Sequence, residues 1–237
     1  MKKAVLIAAL LVLVAVPGFS GTLNVLYYTD YDVGTDVIPG AIALAGATGT
    51  NDSGNQAQFN TDLASGSYNV VIFGEQDGTV FPGSSSELAA YLAGGGKIIG
   101  ATWLSGSGMT SFFGATSTVS SDGSYITTDG NPIFAGLGPT VGLYNPGWGI
   151  YDLGNTTGAV CAGALDNGGC GAVIGNGGST ILNAALFDSY ASTAQGQQLI
   201  ANEIGYLASP TPEPSTLLML GFGLAGIGGT LRKRFSK

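Results

Sequence analysis

Residues 84–102 read SSSELAAYLAGGGKIIGAT, and this stretch predicts a helix followed by a buried strand. Ser84 and Glu87 have the spacing of a capping box, which satisfies the free backbone N–H groups at the start of a helix. The predicted helix continues to Leu92 and ends at glycines 94–96, because glycine readily adopts the conformation that terminates helices. Residues 97–102 are then mostly apolar without alternation, as in a strand that is covered on both faces.

The chain before this stretch shows the same alternation of strand and helix. Apolar runs at 23–29 and 69–73 predict two further buried strands. Thr35 or Asp36 could cap a helix that ends near Ala45, and residues 56–63 predict another short helix. Strands that alternate with helices in this way predict a parallel sheet with helices on both faces.

The chain from residue 117 onward differs, because its alternating runs and turns predict hairpins and short strands. Residues 117–128 alternate around Asp122-Gly123 like a hairpin. Short strands are predicted at 158–164, 171–175 and 179–186, the last two joined at Gly177-Gly178. Residues 193–207 predict a closing amphipathic helix.

Several phrases resemble the class I glutamine amidotransferase-like superfamily, including its ThuA-like branch. They are YNVVIF at 68–73, LAGGGKIIG at 92–100 and NPIFAGL at 131–137, together with the first strand and the last strand and helix. The resemblance implies an α/β fold, namely a flavodoxin-like α/β/α sandwich with a mainly parallel sheet and added β-hairpins.

The same resemblance argues against amidotransferase activity. That superfamily places a nucleophilic cysteine in the turn after the strand that corresponds to residues 97–102, and here the turn reads ATWL at 101–104. The chain has no histidine, which excludes Cys–His and Ser–His–Asp catalysis and histidine-based zinc sites. We therefore predict no catalytic residue, no metal and no cofactor.

Open α/β sheets bind ligands outside the carboxyl ends of their strands, so this edge is the candidate ligand rim. The candidate rim comprises five side chains: Asp30, Asp32, Glu75, Thr102 and Trp103. Carboxylates beside an aromatic ring could bind a sugar, and a suitably spaced pair could cleave a glycosidic bond. Asp30 and Asp32 together with Asp36 could instead bind calcium. A third interpretation is that these acids only solvate and cap loops.

The C-terminal end has three parts in a fixed order. Residues 210–215 read PTPEPS, residues 216–231 are apolar, and a basic stop follows at Arg232, Lys233 and Arg234. This order resembles the PEP-CTERM sorting signal of Gram-negative bacteria. The signature tripeptide then corresponds to Pro212, Glu213 and Pro214, followed by Ser215.

That resemblance implies a C-terminal transmembrane helix and an exosortase-type processing enzyme in the inner membrane. The enzyme would cut near the tripeptide and release or transfer the protein outward. The apolar run is short against the roughly 20 residues of a usual span. The basic stop would remain cytoplasmic.

The N-terminal end predicts a secretory signal peptide. Lys2 and Lys3 precede an apolar stretch at 4–16, and Gly18 and Ser20 place small residues before a cleavage site. The predicted organisation is therefore a signal peptide at 1–20, an amidotransferase-like α/β domain at 21–209 and a sorting signal at 210–237.

The predicted exported part is strongly acidic. Lys97 is the sole basic side chain between residues 21 and 209, a span that contains fourteen acidic side chains. Such a chain is not expected to bind nucleic acid, because that binding requires clustered lysine and arginine.

The two cysteines, Cys161 and Cys170, flank a flexible Gly-rich stretch. In an oxidising periplasm the expected state is a disulfide, and the alternatives are a metal pair or a reactive thiol.

Together these features predict an exported, non-enzymatic protein of the cell surface or extracellular matrix. Its predicted partners are an exosortase, the inner membrane before processing, and an exopolysaccharide. The alternative is an extracellular carbohydrate-active enzyme, or a glycan- or cation-binding module, that uses the rim carboxylates.

Overall fold

Five parallel strands form the centre of the fold in the computed structural model, which describes residues 22–104, 107–120, 123–144 and 149–209. They lie side by side in the order β2-β1-β3-β4-β11. Their bounds are β1 (Asn24–Thr29), β2 (Thr48–Asn51), β3 (Val70–Glu75), β4 (Ile98–Thr102) and β11 (Thr180–Asn183). Every residue of β3, β4 and β11 is buried, as predicted for strands covered on both faces.

Helices cover this parallel region. They are α1 (Ile38–Leu44), α2 (Gln56–Ala64), α3 (Ser85–Ala93), α4 (Met109–Phe112) and α5 (Thr193–Ala208), with 3-10 turns at Phe81–Gly83 and Pro132–Phe134. The connection β1-α1-β2 runs in one direction across the sheet, whereas β2-α2-β3 and β3-α3-β4 run in the other. Because such connections are right-handed, α1 and α2 belong on opposite faces. The packing agrees, since α1 contacts α5 and α2 contacts α3.

The remaining strands make the sheet mixed, which corrects the prediction of a mainly parallel one. They are β5 (Ala115–Ser120), β6 (Tyr125–Thr127), β7 (Thr140–Gly142), β8 (Tyr151–Asn155), β9 (Val160–Leu165) and β10 (Cys170–Gly175). The order continues from β11 as β10-β9-β6-β7, and β8 pairs with both β10 and β5. All of these pairings are antiparallel. Among the strand pairs that the structure describes, antiparallel ones therefore outnumber parallel ones.

Local predictions for the second half had different outcomes. The β10–β11 hairpin across Gly177-Gly178 is confirmed. The hairpin around Asp122-Gly123 is wrong, because β5 pairs with β8 while β6 pairs with β7 and β9. Long-range pairing therefore overrides the local turn signal.

The predicted capping box at the start of α3 is also wrong, because its side-chain hydrogen bond is not formed. Ser84 precedes the helix, but its side chain makes no capping hydrogen bond. Instead the buried Ser84 Oγ accepts a hydrogen bond from Gln56 Nε2 at 3.0 Å. The hydroxyl thus joins α2 to α3 rather than capping its own helix.

The predicted signal peptide at 1–20 and sorting segment at 210–237 lie outside the described residues. Within the described ranges, no helix has both the length and the apolar character needed to cross a membrane.

The predicted disulfide is confirmed. Cys161 in β9 and Cys170 in β10 are bonded, with their Cα atoms 5.4 Å apart. The bond closes a short loop between two antiparallel strands, and so restricts the unfolded chain.

Replacing both cysteines by serine should lower the free energy of unfolding by about 2–3 kcal/mol, because the crosslink no longer restricts the unfolded chain. Urea unfolding of the parent and of Cys161→Ser/Cys170→Ser measures this directly. Reduction of the parent serves as a control and should reproduce the effect. Equal stability of oxidised parent and double variant would contradict it.

A buried carboxyl group joins α5 to the sheet. Asn183 Nδ2 donates a 2.9 Å hydrogen bond to Glu203 Oε2, and both residues are buried. Glu203 Oε1, Asn183 Oδ1 and the Tyr190 hydroxyl have no hydrogen-bond partner among the described residues. A proton on Glu203 would turn Oε1 into a donor and relieve this excess of acceptors. Consistently, burial raises the pKa of Glu203 from 4.5 to about 8, although the Asn183 hydrogen bond opposes the shift.

This raised pKa makes stability depend on pH. Between 4.5 and about 8 the folded state binds the Glu203 proton that the unfolded state releases, so this group lowers stability as pH rises through that interval. Glu203→Gln supplies a permanent N–H donor, and should remove this part of the pH dependence while keeping the stability at low pH. Urea unfolding of the parent and the variant between pH 4.5 and about 8 tests this prediction. If the free energy of unfolding depended on pH equally in both proteins, the prediction would be contradicted.

Candidate functional site

The candidate rim lies where the strand order reverses. The chain moves from β1 outward to β2 and then back across β1 to β3, so β1 and β3 flank the switch point. In open α/β sheets the ligand crevice lies outside the carboxyl ends of such strands. Asp30 follows β1, Glu75 ends β3 and Thr102 ends β4, so the topology brings the predicted rim residues to one edge.

Asp30 bridges the two strands at this switch point. Its Oδ1 accepts a hydrogen bond from the Gln76 N–H at 2.6 Å. Its Oδ2 accepts from the N–H groups of Asp77 and Gly78 at 3.0 and 2.9 Å. A carboxylate with three backbone donors forms strong charge-assisted bonds. We call this arrangement the Asp30 clamp. Its three hydrogen bonds engage both oxygens of the carboxylate that a ligand at this edge would otherwise contact.

Glu75 points into the protein rather than toward solvent. Its side chain is fully buried. Oε1 accepts a 2.9 Å hydrogen bond from the Phe81 N–H, and Oε2 accepts a 3.0 Å bond from Thr102 Oγ1. Thr102 Oγ1 also accepts from the Leu104 N–H at 3.1 Å. Glu75 and Thr102 therefore hold the turns that follow β3 and β4.

Trp103 completes the closure of the edge. Its indole N–H donates to the backbone carbonyl of Gln76, in the same loop that the Asp30 clamp holds. Phe187 covers Gly74 from the other side, since a Cβ on Gly74 would lie 3.2 Å from the Phe187 ring.

The cavity that the described residues of this edge enclose around Thr29 and Glu75 is very small. Its volume is about 10 Å³, and Thr29, Asp32, Glu75 and Phe187 are among its lining residues. That space holds one water molecule at most. Ligand clefts typically have volumes of several hundred Å³.

Asp32 is the predicted rim acid that no backbone clamp engages. Its Oδ2 accepts a 3.2 Å hydrogen bond from Thr29 Oγ1. Loss of hydration raises the pKa of Asp32, the Asp188 carboxylate adds to the shift, and the Thr29 bond opposes it. Burial likewise raises the pKa of Asp36 to about 6, against the hydrogen bond from the Ile38 N–H.

The arrangement of these acids can be compared with that of a metal site. Among the residues that the structure describes, no three histidine, cysteine or acidic side chains converge closely enough to hold a metal ion. Asp30, moreover, is engaged by the three amides of its clamp.

Sequence reasoning missed Asp188, which organises the loop after β1. Its Oδ2 accepts hydrogen bonds from the N–H groups of Val33 and Gly34 at 2.6 and 2.9 Å. A Cβ on Gly34 would lie 2.5 Å from the Asp188 carbonyl oxygen, so glycine is required for this approach. The signal in the sequence was Gly34 in a loop that also contains three aspartates, but the partner of Gly34 is 154 residues away.

The turn after β4 has no nucleophile at the position where the resembling superfamily has cysteine. Thr102 is buried and donates a hydrogen bond to Glu75, and the Trp103 indole donates one to the Gln76 carbonyl. Both cysteines of the chain are in the disulfide.

The comparison of the C-terminal segment with known families gives a specific result. Residues 210–234 match the PEP-CTERM protein-sorting motif. This match indicates an exported protein, and it implies processing by an exosortase. No curated protein sequence matches the chain closely enough to count as a relative.

Solved structures with a similar fold include a protein assigned as a GMP synthase subunit from Thermoplasma acidophilum. The TM-score is 0.56 at 12% identity, over 80% of this chain and 96% of that one. A glutamine amidotransferase from Thermotoga maritima has a TM-score of 0.49 at 10% identity, over 70% of this chain and 76% of that one. Agd3, a carbohydrate deacetylase, has a TM-score of 0.45 at 13% identity, over 69% of this chain and 29% of that one.

At such identities the first of these likenesses shows the fold alone, and the other two are too distant to support an argument. The chain thus carries a PEP-CTERM sorting motif after an α/β fold with a mixed sheet, similar to that of glutamine amidotransferase-like proteins.

Proposed function

We propose that this chain is a non-enzymatic protein of the cell surface or extracellular matrix. Residues 21–209 would be its exported part and would serve as a binding or structural module. The signal peptide at 1–20 would start its export, and the segment at 210–237 would hold it in the inner membrane until an exosortase cuts near Pro212, Glu213 and Pro214.

The Asp30 clamp is the observation that carries the non-enzymatic part of the proposal. Catalysis at the switch point requires an accessible carboxylate or nucleophile and space for a substrate. Asp30 and Glu75 are engaged by backbone N–H groups, and the adjoining cavity has a volume of about 10 Å³. These contacts support a structural role for the rim acids.

The alternative, a carbohydrate-active enzyme that uses rim carboxylates, requires two acids with separate roles and access to the sugar. Asp32 alone among the rim acids is exposed and free of backbone donors in the described contacts. One such acid does not provide the pair, so this alternative receives less support.

The acidic surface favours particular partners in the matrix. With fourteen acids against Lys97 between residues 21 and 209, the exported part repels polyanions such as nucleic acid and uronic acid polymers. A neutral or cationic exopolysaccharide suits it better.

Sorting through the motif is tested by replacing Pro212, Glu213 and Pro214 with alanine. Because the processing enzyme reads this tripeptide, the variant should remain uncleaved and membrane-bound. Fractionation of producing cells and intact mass measurement report the outcome. Thr211→Ala, next to the tripeptide, is the matched control and should be processed normally. Unchanged processing of the triple variant would contradict the proposal.

The structural role of the rim is tested with Asp30→Asn. Loss of the charged acceptor should lower the free energy of unfolding by about 2–4 kcal/mol, because three backbone donors lose their anionic partner. Asp77→Asn is the matched control, since Asp77 contributes only its backbone N–H to the clamp. Urea unfolding and release of reducing ends from polysaccharide are both measured. Glycan cleavage by the parent that Asp30→Asn abolishes without loss of stability would overturn the proposal.

A further inference from the structure

A second concave surface lies at the amino ends of the strands, opposite the closed rim. It is a cleft of about 520 Å³ between α2 and α3, within the size range of ligand sites. We call it the α2–α3 cleft. Its principal lining residues are Ala64, Tyr68, Asn69, Glu87, Ala90 and Tyr91, with glycines 94–96 at one side.

The ends of two helices give this cleft a negative character. Both α2 and α3 end at it, at Ala64 and Ala93, and neither has a basic residue in its last turn. A helix C-terminus carries a partial negative charge, and neither last turn has a basic side chain to offset it. Backbone N–H groups of residues 65–66 and 94–96 already hydrogen-bond to carbonyls of these turns, so Glu87 is the main charged acceptor of the cleft. Glu87 adds a carboxylate to the same cleft. The cleft therefore favours groups that donate hydrogen bonds or carry positive charge.

The aromatic wall of the cleft is held in place before any ligand arrives. The Tyr91 hydroxyl donates a 3.1 Å hydrogen bond to the Tyr68 carbonyl. The Tyr91 ring lies directly over Gly96, where a Cβ would be 2.4 Å from the ring. Glycine at 96 is thus required by the packing of Tyr91, and a fixed ring lowers the entropy cost of binding.

We propose that the α2–α3 cleft binds a sugar unit that carries a free amine, within an extracellular polysaccharide. Tyrosine rings offer an apolar surface to the sugar C–H face. Glu87, in the lining of the cleft, accepts hydrogen bonds from the ammonium and hydroxyl groups of the sugar. This inference rests on the proposed matrix function, and it gives that function a binding site distinct from the rim.

The test uses the full-length protein in detergent and glucosamine oligomers at mildly acidic pH, where the amines are charged. Ala64 and Ala90 are exposed helical positions that line the cleft, and Ala89 is exposed on α3 but outside it. Ala90→Gln and Ala64→Gln fill the cleft with good helix formers, so the fold should be kept. Each should weaken binding by about tenfold, whereas Ala89→Gln should bind like the parent.

The choice of sugar is tested with two further probes. N-acetylglucosamine oligomers should bind more weakly than glucosamine oligomers, because acetylation removes the positive charge. Polyguluronate should not bind. Equal binding by the Ala90→Gln and Ala89→Gln variants would mean attraction to the acidic surface only, and would overturn the proposed site, as would tight binding of polyguluronate.

The binding and export experiments distinguish a wrong binding site from a wrong sorting route. Ala90→Gln leaves the sorting motif intact, so cells should export and process it like the parent. Loss of sugar binding with normal export supports the cleft. Normal export of a parent that binds no glucosamine oligomer refutes the cleft but leaves the sorting route standing.

Discussion

The Asp30 clamp is the interaction on which the carboxyl edge of the sheet depends. The order β2-β1-β3 creates a switch point at this edge, and an open α/β sheet normally exposes a crevice there. In this protein one carboxylate spans the gap and accepts three backbone N–H groups. The loop that it holds also provides the carbonyl for the Trp103 indole. Asp30 therefore links the end of β1 to the loop after β3, and the contacts of Glu75 and Trp103 add to the closure of the edge.

The closed rim and the open α2–α3 cleft suggest how such a fold could serve a role without catalysis. The rim carboxylates hold loops, and Phe187 fills the space above Gly74. The amino end of the sheet retains a larger concave surface, with two tyrosines, Glu87 and two helix ends whose last turns have no basic residue. The surface or matrix role proposed above would require a rigid surface of this kind. It does not require a reactive centre.

The parallel part of the fold was predictable because its signals are local. Residues 84–102 and the apolar run at 69–73 predict the α3–β4 unit and β3, and the structure has both. β2 was not predicted, since its sequence TGTN is polar and mostly exposed at the sheet edge. The antiparallel half depended on long-range pairing, so a turn signal such as Asp122-Gly123 was misleading. The rim residues were predicted by position, but the hydrogen bonds of Asp30 to backbone amides 46 to 48 residues away were not readable from the sequence.

Amide hydrogen exchange at Gln76, Asp77 and Gly78 tests the central claim most directly. These residues lie in a loop after β3, where exposed amides normally exchange rapidly. The Asp30 clamp predicts that all three exchange as slowly as amides of the neighbouring strands, and that neighbouring Thr79 exchanges quickly. Rapid exchange at all four positions would mean that the edge is open in solution, and the closed rim would have to be abandoned.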